Sequence, residues 1–204
     1  MNREAEIKEL LISNAIRLIA EGGFEKATTK ELAHCSGNLP GFKMNEVYIY
    51  RFFGGKEKLY EAAFLRLDVE LFYALQDAAK AVGGLQGGSR EKFQSFFTEA
   101  WSFVLRNEAR CRCYVRYYYS IYFKGTSLAA HKKLFDEIIS GMRPIFKKEA
   151  DVSAIMHSVF TTMLDFAIRV YNGAMEDSEE NRAHVFNVLY CMMMTYFKDA
   201  EISF

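Results

Sequence analysis

GGFEKATTKELA at residues 22–33 and YIYRFFGGKEKL at residues 48–59 are the two segments that decide the fold. The glycine pair in the first segment can end a helix, because glycine adopts the left-handed C′ conformation without steric cost. Thr28 followed by Glu31 is a capping-box pattern, which starts the next helix. The second segment predicts a short aromatic helix, a second glycine pair and a long helix. Two short helices joined by a turn are typical of a helix-turn-helix, whose second helix enters a DNA major groove.

The linker between the two short helices is longer than a tight turn. It contains Gly37, Pro40 and Gly41, all of which favour turns, and residues 38–43 add to its length. Asn45 follows this linker, and we expect its side chain to cap the second short helix.

The composition is that of an ordinary helical protein. Half of the 204 residues are hydrophobic and a quarter are charged, which is enough to bury a substantial core. Only two prolines interrupt the chain, and most segments carry apolar residues at three- and four-residue spacing. The predicted class is therefore all-α, with about nine helices. We predict a helix-turn-helix domain over residues 1–58 and a larger helical domain over residues 59–204.

Nothing in the sequence indicates a membrane or an oxidising compartment. The first residues are charged and no apolar run is long enough to cross a bilayer, so we expect a cytoplasmic protein with no membrane partner. The four cysteines show neither zinc-ligand nor small-disulfide spacing, and we expect reduced thiols.

The charge balance does not by itself indicate a nucleic-acid partner. The formal net charge of the whole chain is zero, and residues 1–60 carry nine Lys and Arg against eight Glu. A DNA-binding domain usually has a clear excess of basic residues. A DNA-binding function therefore depends on where the charges lie rather than on their sum.

The sequence shows no catalytic centre. The four histidines, at 34, 131, 157 and 184, lack metal-ligand spacing, and there is no nucleophile elbow, P-loop or dinucleotide motif. We expect no enzyme activity, no catalytic residue, no metal and no cofactor. Asp165 and Arg169 lie four residues apart and can form an intrahelical pair, either orienting a ligand or exposed to solvent.

The ordered helix-turn-helix signals resemble the TetR family of one-component transcriptional repressors. The matching positions of the first segment are Gly23, Phe24, Thr28, Thr29, Leu32 and Ala33, and those of the second are Ile49, Tyr50, Phe53, Lys56, Glu57 and Leu59. This resemblance implies a ligand-responsive repressor that binds a palindromic DNA operator as a homodimer and is released by a small-molecule effector.

The resemblance also assigns roles to individual residues. The positions that correspond to DNA-binding residues are Thr29, Lys30, Asn45, Glu46, Tyr48, Tyr50, Arg51 and Lys56. Thr29, Lys30 and Lys56 would contact phosphates, while Tyr50 and Arg51 could reach the backbone or base edges.

The rest of the chain is rich in aromatic residues that could line an effector cavity or simply form the core. The candidates for binding an apolar or aromatic effector are Phe97, Trp101, Tyr117, Tyr118 and Phe166. The last two helices are apolar around most of their circumference, which predicts burial on more than one side. We therefore expect a homodimer that forms through these two helices.

Three features depart from the family pattern. The turn is longer, Glu46 and Val47 stand where a basic residue and a glycine are frequent, and Gly55 replaces a capping serine. Glu46 would repel a phosphate, although a glutamate can accept a hydrogen bond from cytosine. These departures keep open an alternative: a helical small-molecule or partner-binding protein whose helix-turn-helix no longer binds DNA.

Overall fold

The computed structural model of the chain describes residues 3–34, 44–83 and 86–199. These ranges contain nine α-helices, which confirms the all-α class. The helices are α1 (Arg3–Lys26), α2 (Thr29–His34), α3 (Val47–Phe53), α4 (Lys56–Gly83), α5 (Ser89–Arg106), α6 (Glu108–Tyr118), α7 (Thr126–Met142), α8 (Val152–Tyr171) and α9 (Glu179–Cys191). The lengthened linker predicted at residues 38–43 lies outside the described residues. Within those ranges, none of the helices is long and apolar enough to cross a membrane.

The chain divides into two compact units. The first consists of Met1–Glu70 and Ala109–His131, and the second of Leu71–Glu108 and Lys132–Phe204. This division groups residues that contact one another. The boundary predicted between residues 58 and 59 instead separates a DNA-binding domain from an effector-binding and dimerisation domain. The functional boundary stays a prediction.

Local signals in the sequence account for the ends of the first helices. Gly23 has a φ of 73° and interrupts α1, so that the chain turns before α2. The N–H of Glu31 donates to Thr28 Oγ1 over 3.2 Å, and the N–H of Val47 donates to Asn45 Oδ1 over 3.0 Å. These bonds satisfy donors that the first turns of α2 and α3 would otherwise leave unpaired. The side chain of Asn45 thus bonds the first residue of α3 as expected, although Glu46 is the residue directly before the helix. Gly54, in the left-handed conformation, ends α3.

The core of the first unit forms under these helices. Residues without solvent exposure come from α1, α2, α3 and α4, among them Leu11, Ile19, Leu32, Ile49, Leu59 and Phe64. Because α2 and α3 are only six and seven residues long, their stability comes from this packing rather than from helix propensity.

In the second unit, α5, α8 and α9 pack on one another. Their shared core includes Phe93, Phe97, Val159, Phe186 and Leu189. Asp151 caps α8 by accepting from the N–H of Ala154, and Ser178 caps α9 by accepting from the N–H of Asn181. The sequence predicts that Pro144 kinks or splits a helix over residues 128–148. The structure confirms this, because α7 ends at Met142 and a short 3-10 helix follows.

The structure corrects three details of the sequence-based expectations. The sequence pattern also predicts a helix over residues 108–123, but α6 ends at Tyr118. The sequence also predicts Ser89 as the cap of α5, but the residue before the helix is Gly88. The N–H of Gly88 donates to Glu91, and the N–H of Ser89 donates to Asp199.

The third correction concerns the last two helices. The exposed positions of α8 carry small or polar residues, including Ser153, Ser158 and Asp165. Helix α8 is therefore not apolar all round, and its apolar face is already buried within the second unit.

Candidate nucleic-acid interface and ligand cavity

One face of α3 is exposed to solvent and takes no part in packing against the core. Val47 is 65% exposed, Tyr50 is 59% exposed and Arg51 is also exposed. Their i, i+3, i+4 spacing places the three side chains on one face of the helix. Ile49, which is fully buried, holds the other face against the core. The arrangement leaves the outer face of a short, firmly anchored helix available to a partner.

Phe52 supports one side of α3. The ring of Tyr48 stacks on it with the ring centres 5.8 Å apart, and the Arg51 guanidinium lies 5.4 Å from its centre. Lys8 of α1 also lies over the Phe52 ring, at 5.2 Å, and pairs with Glu4 at 2.7 Å. The Lys8 hydrogen bond and charge, with a smaller contribution from Arg51, lower the pKa of Glu4. Tyr48 is half-buried in this cluster, whereas Tyr50 points away from the core.

Glu46 is held by α2. The hydroxyl of Thr29 donates to a carboxylate oxygen of Glu46 over 2.8 Å, and both residues are half-buried. The bond joins the first residue of α2 to the residue before α3. It also gives the Glu46 carboxylate a hydrogen-bond partner within the protein.

The exposed lysines lie at the starts of α2 and α4. Lys30 and Lys56 are both exposed, and Lys56 is the first residue of the 28-residue α4. Free backbone N–H groups and the helix dipole attract anions to such a position. Lys58 instead pairs with Glu61 at 2.6 Å, and this hydrogen bond raises the pKa of Lys58.

All eight predicted DNA-binding residues thus lie in the first unit, on α2, on α3, or beside α3 and at the start of α4. Their contact with DNA stays a prediction.

Two residues that support this region were missed by sequence reasoning. The buried hydroxyl of Tyr60 donates to the carbonyl of Ala27, just before α2, and burial raises the pKa of Tyr60 to about 12. Arg116 of α6 donates to the carbonyl of Ile19 in α1 over 2.8 Å. Both bonds join positions distant in sequence, so no local spacing pattern could reveal them.

The second unit contains a small apolar cavity of about 40 Å³. Its lining consists of Leu75, Phe93, Phe96, Phe97, Phe135, Ile138, Met156, Val159, Phe160, Met163 and Leu189. None of these side chains offers a charged or hydrogen-bonding group, apart from the weak thioether acceptors. The cavity as it stands admits only a small apolar group, and a larger ligand requires its Phe and Met side chains to move.

The five predicted effector-binding residues do not meet in this cavity. Phe97 lines it, and Trp101 stacks on Phe97 with the ring centres 5.8 Å apart without being part of the lining. Tyr117 and Tyr118 belong to the first unit. Phe166 lies outside the lining and packs its ring edge-on against His184. The Asp165–Arg169 pair is exposed on α8, with 2.9 Å between the bonded atoms, which favours its interpretation as a surface pair.

Solved structures of other proteins share this arrangement of helices. Neither protein-family models nor curated protein sequences give a match to the sequence. A TetR-family transcription regulator from Marinobacter aquaeolei VT8 superposes with a TM-score of 0.71 at 16% identity, over 93% of this chain and 96% of that one. The chain has the TetR-family fold.

Two other solved structures also superpose on this chain. A TetR-like transcriptional regulator from Rhodococcus sp. RHA1 gives a TM-score of 0.64 at 18% identity, with 94% of this chain and 95% of that one covered. The fatty acid degradation regulator FadR from Bacillus halodurans gives 0.59 at 16% identity, with 89% and 93% covered. At these identities the similarity establishes the fold.

Within its TetR-family fold, the first unit also contains a buried polar cluster. Asp68 of α4 is 4% exposed and lies 2.8 Å from His131 Nδ1. The hydroxyl of Tyr114 donates to the same Asp68 oxygen over 3.2 Å, and burial raises the pKa of Tyr114 well above its usual value. The rings of Tyr118 and Phe123 pack edge-on against His131. The other Asp68 oxygen, Oδ2, is buried without a hydrogen-bond partner among the described residues.

Proposed function

We propose that this protein is a transcription repressor that binds a palindromic DNA operator as a homodimer and releases it when a small-molecule effector binds. The observation that carries the proposal is the outer face of α3, where Val47, Tyr50 and Arg51 are exposed on a helix anchored by buried Ile49. The TetR-family fold supports it, because the solved neighbours described above are transcription regulators.

The charges near α3 support binding to the DNA backbone. Arg51 lies on the exposed face of α3, Lys30 is the second residue of α2, and Lys56 is the first residue of α4. In this proposal Lys30, Lys56 and the Thr29 backbone contact phosphates and fix the register, while α3 reads base edges.

A dimer explains how short helices can select a long operator. Two copies of α3 reach successive major grooves when their centres lie about 34–36 Å apart. We propose α8 and α9 as the dimer interface. Because the exposed residues of α8 are small or polar, this interface would not depend on a wide apolar face.

The apolar cavity of the second unit is the proposed effector site. Its lining favours an uncharged hydrocarbon group, because a buried charge without a partner is costly. FadR from Bacillus halodurans is described as a regulator of fatty acid degradation, and an acyl chain has the chemistry that this lining accepts. Helix α4 begins at Lys56 and contributes Leu75 to the cavity, so movement of α4 could change the presentation of α3. Release requires the effector to prefer the state that binds DNA poorly.

Operator binding can be tested by selecting bound oligonucleotides from a random pool with the full chain. Affinity for the selected site is then measured by fluorescence anisotropy across a range of salt concentrations. Lys30→Ala and Lys56→Ala should each reduce the slope of log K against log salt by about 0.9 per lost phosphate contact. Lys80→Ala removes an exposed lysine of the second unit and serves as the matched control. Equal slopes for all four proteins would contradict the assigned interface.

Effector release needs a separate experiment. The neutral fluorophore N-phenyl-1-naphthylamine reports occupancy of an apolar site, and fatty acids of increasing chain length can compete with it. A competitor that displaces the fluorophore should also weaken operator binding. Unchanged operator affinity at saturation by every such competitor would exclude this regulation.

The second candidate is a helical small-molecule or partner-binding protein whose helix-turn-helix no longer binds DNA. The nine basic against eight acidic residues over residues 1–60 favour it. Failure of the selection to enrich any sequence, at low salt and with a folded protein, would support this alternative over the repressor.

A further inference from the structure

Two large apolar side chains occupy the outer face of α3. Val47 and Tyr50 are 65% and 59% exposed, and their i, i+3 spacing places them one above the other. Single exposed apolar residues are common on protein surfaces and need no explanation. Here two of them lie on one face of a seven-residue helix, and burial of Ile49 already satisfies the packing needs of that helix.

The polar group nearest the start of α3 is engaged elsewhere. Glu46 directly precedes Val47, and its carboxylate accepts the hydroxyl hydrogen of Thr29. Only Oε2 of Glu46 makes this bond, so Oε1 can still accept a hydrogen bond, but the side chain as a whole is tied to α2. The first turn of α3 therefore presents the hydrocarbon side chain of Val47 and the aromatic ring of Tyr50 to a DNA groove.

Apolar side chains in the major groove distinguish bases through the C5-methyl group of thymine, which is the one apolar group that a base edge presents there. A cytosine or purine at the same place would bring a polar group against Val47 without giving it a hydrogen bond. We propose that Val47 and Tyr50 read thymine methyl groups in each operator half-site. The inference rests on the proposed function and specifies the partner as DNA with thymine facing the first turn of α3.

The test replaces thymine by deoxyuridine, one position at a time, in the operator selected by the wild-type protein. Deoxyuridine keeps every hydrogen-bonding group of thymine and lacks only the methyl group. The loss of one buried methyl contact should weaken binding by about threefold to fivefold. We expect this loss at one or two positions in each half-site.

Variants of Val47 and Tyr50 test which side chain contacts each thymine methyl group. Val47→Ala should weaken binding to the thymine operator and bring the thymine-to-uracil affinity ratio close to one at the position that Val47 contacts. Tyr50→Ala should do the same at a neighbouring position, while Tyr50→Phe keeps the ring and should preserve the ratio. Both side chains are exposed, so these changes leave the core intact. Lys80→Ala is the control, with affinity and ratio equal to those of the wild type.

The outcomes separate this inference from the function on which it rests. A thymine preference that Val47→Ala or Tyr50→Ala abolishes supports the proposal. Tight, salt-dependent operator binding with equal affinity for thymine and uracil at every position would overturn the proposal and leave the repressor function standing. A thymine preference unchanged in both alanine variants would overturn it as well. Failure to bind any DNA would overturn both.

Discussion

The hydroxyl of Thr29 donates a hydrogen bond to a carboxylate oxygen of Glu46 over 2.8 Å, and so connects the first residue of α2 with the residue that precedes α3. In sequence these residues are separated by the lengthened linker. Glu46, which the sequence alone suggested might oppose DNA binding, thus has a structural role in the first unit. The bond gives α3 an attachment to α2 that does not depend on the linker.

This bond makes Thr29 and Glu46 energetically coupled. A double-mutant cycle with Thr29→Val and Glu46→Ala, followed by urea denaturation, should give a coupling free energy of about 0.5–1.5 kcal/mol. Glu46→Gln keeps an oxygen that can accept the bond, so it should cost less stability than Glu46→Ala. Additive effects of Thr29→Val and Glu46→Ala would show that the bond does not hold the two helices.

Tyr60 provides a second attachment, to the carbonyl of Ala27. Tyr60→Phe removes the donor and leaves a buried carbonyl unpaired, so we expect a loss of about 1–2 kcal/mol in unfolding free energy at neutral pH. Circular dichroism during urea titration measures this loss. Tyr50→Phe, at an exposed tyrosine, is the control and should change stability little.

The same variant should show a different dependence on alkaline pH. Burial raises the pKa of Tyr60 from 10.0 to about 12 in the folded state. The unfolded chain therefore ionises at Tyr60 first, and stability that is present below pH 10 is lost as the pH rises towards 12. Tyr60→Phe lacks this contribution, so its unfolding free energy should fall less steeply over that interval than that of the wild type. Parallel curves would contradict the role given to burial of Tyr60.

The sequence predicted the elements of the fold because their signals are local. Glycine in the left-handed conformation ends α1 and α3, and Thr28 and Asn45 accept hydrogen bonds from residues two or three positions away. Each of these signals acts within one turn of helix. The resemblance to the TetR family rested on the same short segments. The solved structures confirm that the chain has the fold of that family.

The ligand cavity was harder to predict because its walls come from five helices. Phe97 shares an aromatic pattern with Tyr117 and Tyr118, yet they lie in different compact units. Periodicity shows which face of a helix is apolar and says nothing about which helix faces it. The linkage of Asp68 to His131 was missed for the same reason, since 63 residues separate them.

The Asp68–His131 contact should make a large contribution to the stability of the first unit. His131→Ala leaves the buried Asp68 carboxyl group with only the Tyr114 hydroxyl as a hydrogen-bond partner among the described residues, and we expect a loss of about 1–3 kcal/mol in unfolding free energy. Asp68→Asn removes the charge itself and should cost less. Urea denaturation of the two variants tests this order, with His157→Ala at an exposed histidine as control.

A combined variant gives the sharper comparison. In Asp68→Asn with His131→Ala, no uncompensated carboxylate remains, so the double variant should be more stable than the sum of the single losses predicts. If His131→Ala cost no more than His157→Ala, the contact would carry no stabilising interaction.

The cavity in the second unit can be filled without touching the DNA-binding residues. Val159→Ile adds one methylene to a wall of the 40 Å³ cavity, and we expect an increase of about 0.5–1 kcal/mol in unfolding free energy. Val185 is fully buried on α9 and does not line the cavity, so Val185→Ile inserts the same methylene where no space exists and should cost about 1–3 kcal/mol. Thermal and urea denaturation of the two variants measure the contrast.

The pair also tests the cavity as a ligand site. Val159→Ile should weaken binding of N-phenyl-1-naphthylamine, because the added methylene occupies part of the space that the ligand needs. Val185→Ile should leave the affinity for the fluorophore close to the wild-type value. Operator affinity without a ligand should be the same in both variants and in the wild type. If the fluorophore bound equally well to all three proteins, its binding site would lie elsewhere. The cavity lined by Phe97 and Val159 would then be a packing defect of the core and not the effector site.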